Sequence, residues 1–114
     1  MSQNGQTLVE IRKNDALLIP KLFFNTLTRF GFISSIGRLI DHKMVADEYN
    51  GCSFPGDVDA EEVPFEGVKF RYIDDEIVID ETTFQSLVKE ACEGFIRLHP
   101  AQEESVRELI KRIS

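Results

Sequence analysis

A chain of 114 residues is one domain's worth of sequence, and a hydrophobic fraction of 42% with nine Phe supplies a packed core, which excludes global disorder. Twenty acids against thirteen Lys and Arg give a formal charge of −7, the wrong sign for neutralising nucleic-acid phosphates or holding an anionic membrane surface. The excess is local: from Asp47 to Glu81 twelve acids stand against only Lys69 and Arg71, whereas residues 1–46 are net basic and 82–114 balance.

The N-terminal Met-Ser-Gln-Asn-Gly-Gln has no basic start ahead of an apolar run, so it does not read as a signal peptide and the expected compartment is the cytosol. The apolar stretches 16–19 and 22–24 are broken by Pro20 and Lys21 and are too short to span a bilayer. Leu-Val-Glu-Ile at 8–11 reads as a strand. Pro20 opens a helix running to about 32 that buries Leu22, Phe23, Leu27 and Phe30, with Gly31 loosening its end. A second short helix is expected from Ser34 or Ser35 to His42. The stretch 50–64 holds Gly51, Pro55, Gly56, Pro64 and four of the acids, and reads as a long loop.

Residues 67–73 alternate, with Val68, Phe70 and Tyr72 on one face and Lys69 and Arg71 on the other. Asp74-Asp75 reads as the turn, and Glu76 to Asp80 as the returning strand with Ile77 and Ile79 inward. A lone hairpin is marginal in water, so residues 8–11 are the natural third strand. Phe84, Leu87, Val88, Ala91, Cys92, Phe95 and Ile96 then form one helical stripe, capped by Asp80 or Thr82 and ended by His99-Pro100. Pro100 begins a last helix with Glu103 and Glu104 near its start, Lys111 and Arg112 near its end, and an apolar stripe of Val106, Leu109, Ile110 and Ile113. The expected fold is a single-domain α+β protein: a small antiparallel sheet, the hairpin at about 67–80 plus the N-terminal strand, packed against about four helices.

Chemistry is hard to find in this chain. Its histidines, His42 and His99, sit at helix ends, and nothing local pairs either with Cys52 or Cys92. Cys92 falls on the apolar helical face and reads as core, while Cys52, in a Gly-rich stretch, reads as an exposed thiol. There is no Cys-x-x-Cys and no helical His-x-x-x-His. Asp57, Asp59 and Glu61 alternate as in calcium loops but lack the invariant Gly and the closing Glu. Asp74, Asp75 and Glu76 read as a solvated turn rather than a magnesium site. No phosphate loop is present, so no catalytic residue, cofactor or metal is expected.

That leaves binding. Charge of one sign displayed on a hairpin and a long loop steers an oppositely charged partner, and Phe54 and Phe65 lie inside the acidic stretch as candidate apolar anchors. Both read equally as core residues pinning the loop, which is the preferred reading for Phe65. The candidate contact residues are Asp57, Asp59, Glu61, Glu62, Asp74, Asp75 and Glu76. The alternative is a small-molecule-binding regulatory or enzymatic domain with its pocket between hairpin and helices.

The run Pro64-Phe-Glu-Gly-Val-Lys-Phe70, the hairpin through Ile79, then Phe84, Leu87, Ala91-Cys92, Phe95 and His99-Pro100 resembles immunity proteins of bacterial contact-dependent growth inhibition systems, the group that neutralises ribonuclease toxins. The resemblance is carried by about the last fifty residues. It implies a cytosolic, non-enzymatic protein that binds the basic toxin (nuclease) domain of a large secreted effector and blocks its active site. It transfers no contact residue, because contacts in such families follow the toxin, and the chain's charge leaves no nucleic acid and no membrane as expected partner.

Overall fold

The computed structural model describes residues 8–27, 31–57 and 64–113. In chain order these form helix α1 (Leu18–Thr26), helix α2 (Phe32–Ile40), strands β1 (Val45–Ala46), β2 (Asn50–Ser53), β3 (Val68–Tyr72) and β4 (Asp75–Ile79), then helices α3 (Glu81–Leu98) and α4 (Glu103–Ile113). Single 3-10 turns at Pro55–Asp57 and Pro100–Gln102 join β2 onward and α3 to α4. The fold is α+β. Its sheet is an antiparallel meander in the order β1-β2-β3-β4.

Two expectations about the sheet are corrected. Residues 8–11 form no strand: the Leu8 and Val9 amides both donate to Asn25 Oδ1, at 2.7 and 2.9 Å, and Asn25 Nδ2 donates back to the Val9 carbonyl at 3.1 Å. A side chain of α1 thus satisfies the backbone that a neighbouring strand would have satisfied. Leu8 and Val9 are buried all the same, and the Leu8 carbonyl presses on Gly94 of α3 so closely that a Cβ there would lie 2.3 Å from it. The strands that extend the sheet come instead from 45–53, of which 50–53 reads as loop from the Gly and Pro around it; Asn50-Gly-Cys-Ser53 also lacks the β-branched residues that mark a strand. Cys52 pairs with Phe70 across the ladder and is buried, not exposed. Phe54 is buried too, edge-on to Phe84, so it is core and not a surface anchor.

The sheet's inner face carries Cys52, Val68, Phe70, Ile77 and Ile79. Phe70 meets Phe23 and Phe24 of α1 with ring centroids 5.4 and 5.7 Å apart. The α3 stripe is as expected: Phe84, Leu87, Val88, Ala91, Cys92, Phe95 and Ile96 are all buried. Asp80 caps this helix by accepting from the Thr83 amide at 2.7 Å, and the Thr83 hydroxyl first, then that amide, hold its carboxyl below the usual range. In α4 Val106 and Leu109 are buried, while Ile110 and Ile113 are only partly so. Arg107 locks α4 to α3 by bonding Glu93 at 2.7 Å, and Arg112 reaches Asp41 at the end of α2. Among the described residues no helix is long and apolar enough to cross a membrane.

Candidate functional site

In an antiparallel meander, turns alternate between the two ends of the sheet. The β1–β2 turn at Asp47–Tyr49 and the β3–β4 turn at Ile73–Asp74 therefore share one end. A backbone bond from the Ile73 amide to the Tyr49 carbonyl, 2.7 Å, joins them directly. Asp47 shapes its turn: Oδ1 accepts from the amides of Tyr49 and Asn50 at 2.8 and 2.7 Å, and its own amide donates to the Asn50 carbonyl. The β3–β4 connection is two residues long, one position earlier than the expected Asp74-Asp75, so Asp75 already pairs with Tyr72 as the first residue of β4.

This end of the molecule displays Asp47, Glu48, Asp74 and Asp75, all exposed. Between them stand two large apolar side chains that water reaches freely, Tyr49 at 56% exposure and Ile73 at 52%. Exposed acids beside an aromatic and an aliphatic side chain combine two features that binding surfaces use, charge for approach and apolar area for retention.

The sequence-predicted acids divide among three places. Asp74 and Asp75 lie at this end. Glu76, also exposed, lies opposite Arg71 on the outer face of the sheet. Asp57 lies toward the other end, beyond Ser53, where its Oδ2 accepts from the Phe54 amide at 2.8 Å and closes the 3-10 turn. Asp59, Glu61 and Glu62 fall outside the described residues. Sequence reasoning missed Asp47, Glu48, Tyr49 and Ile73 as one surface. The charges at 47 and 48 were legible, but only a strand at 50–53 brings them beside the 73–74 turn.

The outer face of the sheet forms a shallow basin of about 240 Å³ beneath Lys69 and Arg71. Phe65, half-buried, sits 4.6 Å from Lys69 Nζ in a cation–π contact, and Arg71 donates to the Asp47 carbonyl at 3.3 Å. Neither cysteine is poised as a nucleophile. Burial pushes the Cys52 thiol well above its ordinary value and the Cys92 thiol up to about 12, so both stay protonated at neutral pH. Among the described residues no group of three metal-ligating side chains converges.

A family model for contact-dependent growth inhibition (CDI) immunity proteins matches residues 15–110. The chain belongs to this family. The fold agrees: an immunity protein from Neisseria meningitidis MC58, NMB0503, superposes with a TM-score of 0.68 over 87% of this chain and 89% of that one, at 16% identity. At that identity the likeness is one of fold. No curated protein matches the sequence. The CDI immunity family implies a cognate toxin as partner.

Proposed function

We propose that this CDI immunity protein neutralises a basic ribonuclease toxin domain by seating the acidic end of its sheet against the toxin and covering the active site. The observation that carries the reading is the juxtaposition of exposed Tyr49 and Ile73 with Asp47, Glu48, Asp74 and Asp75 on two hydrogen-bonded turns. A nuclease grips phosphate with Lys and Arg, so its active-site cleft carries the charge that an acidic surface complements. Complementary fields accelerate encounter, and apolar anchors slow release. Glu76 extends the same charge along β4. Asp57, with Asp59, Glu61 and Glu62, belongs in sequence to a second acidic stretch and completes the set of proposed contacts.

In this reading the chain does no chemistry of its own and acts in the cytosol, where a delivered toxin meets RNA. The test is co-purification with the C-terminal domain of the effector encoded next to this gene, followed by RNA cleavage by that domain. A stable complex that leaves RNA intact is the expected result. A complex in which the domain still cleaves RNA would refute occlusion, and failure of the two to associate would refute the partner.

A further inference from the structure

Under the β1–β2 hairpin, against α1, lies a cavity of about 130 Å³ walled by Phe23, Val45 and Ala46, with Asp47 and Asn50 as its polar lining. One water needs only about 10–15 Å³ of such space, so the cavity holds considerably more than a single solvent molecule. Asn50 is 8% exposed, and its Oδ1 is the one buried side-chain polar atom among the described residues that has no hydrogen-bond partner. A buried carbonyl without a donor is costly, and such groups in native proteins call for an explanation. Asp47 stands opposite Asn50 in the hairpin. Its Oδ1 is committed to the turn, while its Oδ2 takes no bond among the described residues.

We propose that this cavity is a socket for a lysine or arginine side chain of the partner protein. The apolar walls suit an aliphatic stem, and the Asn50 carbonyl with the free Asp47 oxygen suits the charged head, which carries only donors. A rotation about the terminal torsion of Asn50, a broad one in any amide side chain, turns Oδ1 toward the entering group. Asp47 and Asn50 of the lining flank Tyr49 in one turn, so an inserted cation and the Tyr49 anchor engage one continuous partner surface. The inference rests on the proposed basic partner for its biological occupant, but the socket is testable without it.

The probe is n-butylammonium, a lysine side chain without its backbone, titrated into the ¹⁵N-labelled protein and followed by NMR, with n-butanol as the uncharged control. The expected result is saturable shifts at the Asn50 side-chain amide and the amides of residues 47–50 with butylammonium and not with butanol. Asn50→Leu is expected to abolish them while keeping a denaturant midpoint no lower than wild type, because it removes an orphaned acceptor. Asp47→Asn keeps the turn-forming oxygen and removes the charge, and is expected to weaken the shifts. Absence of saturable shifts, equal shifts with butanol, or shifts that survive in Asn50→Leu would overturn the socket. With the toxin domain, Asn50→Leu is expected to bind about ten- to a hundredfold more weakly, the loss of a hydrogen bond to a charged group. A toxin that binds wild type and Asn50→Leu alike overturns the socket and leaves the immunity reading standing. Seated butylammonium with no toxin binding supports the socket and overturns the reading.

Discussion

Ile73 donates its amide to the Tyr49 carbonyl at 2.7 Å, and that bond holds together the two turns on which the exposed anchors stand. Ile73 does so at φ 56°, a left-handed conformation that β-branched residues seldom adopt and that costs on the order of 1–3 kcal/mol. Its side chain is half exposed, so core packing does not account for Ile at this position. Replacing Ile73 with Gly relieves the strain, less the entropy glycine loses on folding. The expected outcome is a protein more stable by about 1 kcal/mol that binds its toxin less tightly. A denaturant midpoint below wild type would show that Ile73 is held there for folding.

Gly94 is fixed by the approach of the Leu8 carbonyl, 2.3 Å from where a Cβ would stand. The obstacle is backbone, so α3 or the N-terminal segment has to move. Gly94→Ala is expected to destabilise by about 1–3 kcal/mol and to speed amide exchange at Leu8 and Val9. An unchanged midpoint with unchanged exchange would show that the contact yields freely.

Phe95 stacks on Phe32 with centroids 4.3 Å apart and planes within 8°, joining α3 to α2. Removing its ring opens a cavity between them. Phe95→Ala is expected to cost about 3–5 kcal/mol by chemical denaturation, a large share of the ~5–15 kcal/mol that holds a typical domain folded. An unchanged midpoint would show that the ring does not bear on stability.

Asp15 gathers three donors. Lys21 Nζ lies 2.6 Å from its Oδ2, and the amides of Arg12 and Leu17 also bond its carboxylate. The lysine first, then the amides, hold its carboxyl at about 2, below the ordinary 3.8. A depressed folded value means that the charged form stabilises the fold above the unfolded value and that this stability is lost as pH falls from about 4 toward 2. Asp15→Asn is expected to be less stable at pH 7, since Lys21 is buried and loses its counter-charge, and to show a flatter stability curve between pH 4 and 2. A curve parallel to wild type in that window would remove Asp15 from the account.

Much of what rests on periodicity was readable from sequence, although the helix expected from Pro20 to about 32 ends at Thr26, a second helix begins at Phe32, and Phe30 lies outside the described residues. The α3 stripe from Phe84 to Ile96 and the alternation of Val68, Phe70 and Ile79 came out as expected, because burial on one face leaves a repeat in the residues. Leu8–Ile11 carries an apolar pattern as well, but its backbone goes to Asn25, seventeen positions from Leu8, and no local signal announces a side chain standing in for a strand. Asn50–Ser53 is the reverse case. Its strand is imposed by pairing with β3 rather than by propensity. The candidate site was half legible for the same reason: acid content is visible in composition, but the meeting of the 47–49 and 73–74 turns depends on that unannounced strand.

The acids can be separated by what each does for the fold. Asp74 and Asp75 are exposed, and no hydrogen bond or ion pair from their side chains to a described residue holds the turn, so Asp74→Lys with Asp75→Lys is expected to leave stability within about 1 kcal/mol of wild type. Asp57→Lys is expected to lose about 1 kcal/mol, because its carboxylate accepts from the Phe54 amide, and Asp57→Asn to recover most of it. Glu76 faces Arg71 across the ladder, so a lysine there would set like charges opposite each other and Glu76→Gln is the cleaner change. Binding to the toxin domain is expected to follow a different order. Reversal at 74 and 75 slows association most, since charge at an interface rim acts chiefly on encounter. Salt should slow the wild type more than the reversed protein, as the Debye length falls from about 10 Å at 0.1 M to about 3 Å at 1 M. Stopped-flow association across ionic strength measures both effects on one sample. If the 74/75 reversal associates at the wild-type rate with the wild-type salt slope and still protects RNA, the acidic end is a solvated face, and the Lys69–Arg71 basin on the outer sheet becomes the surface to test.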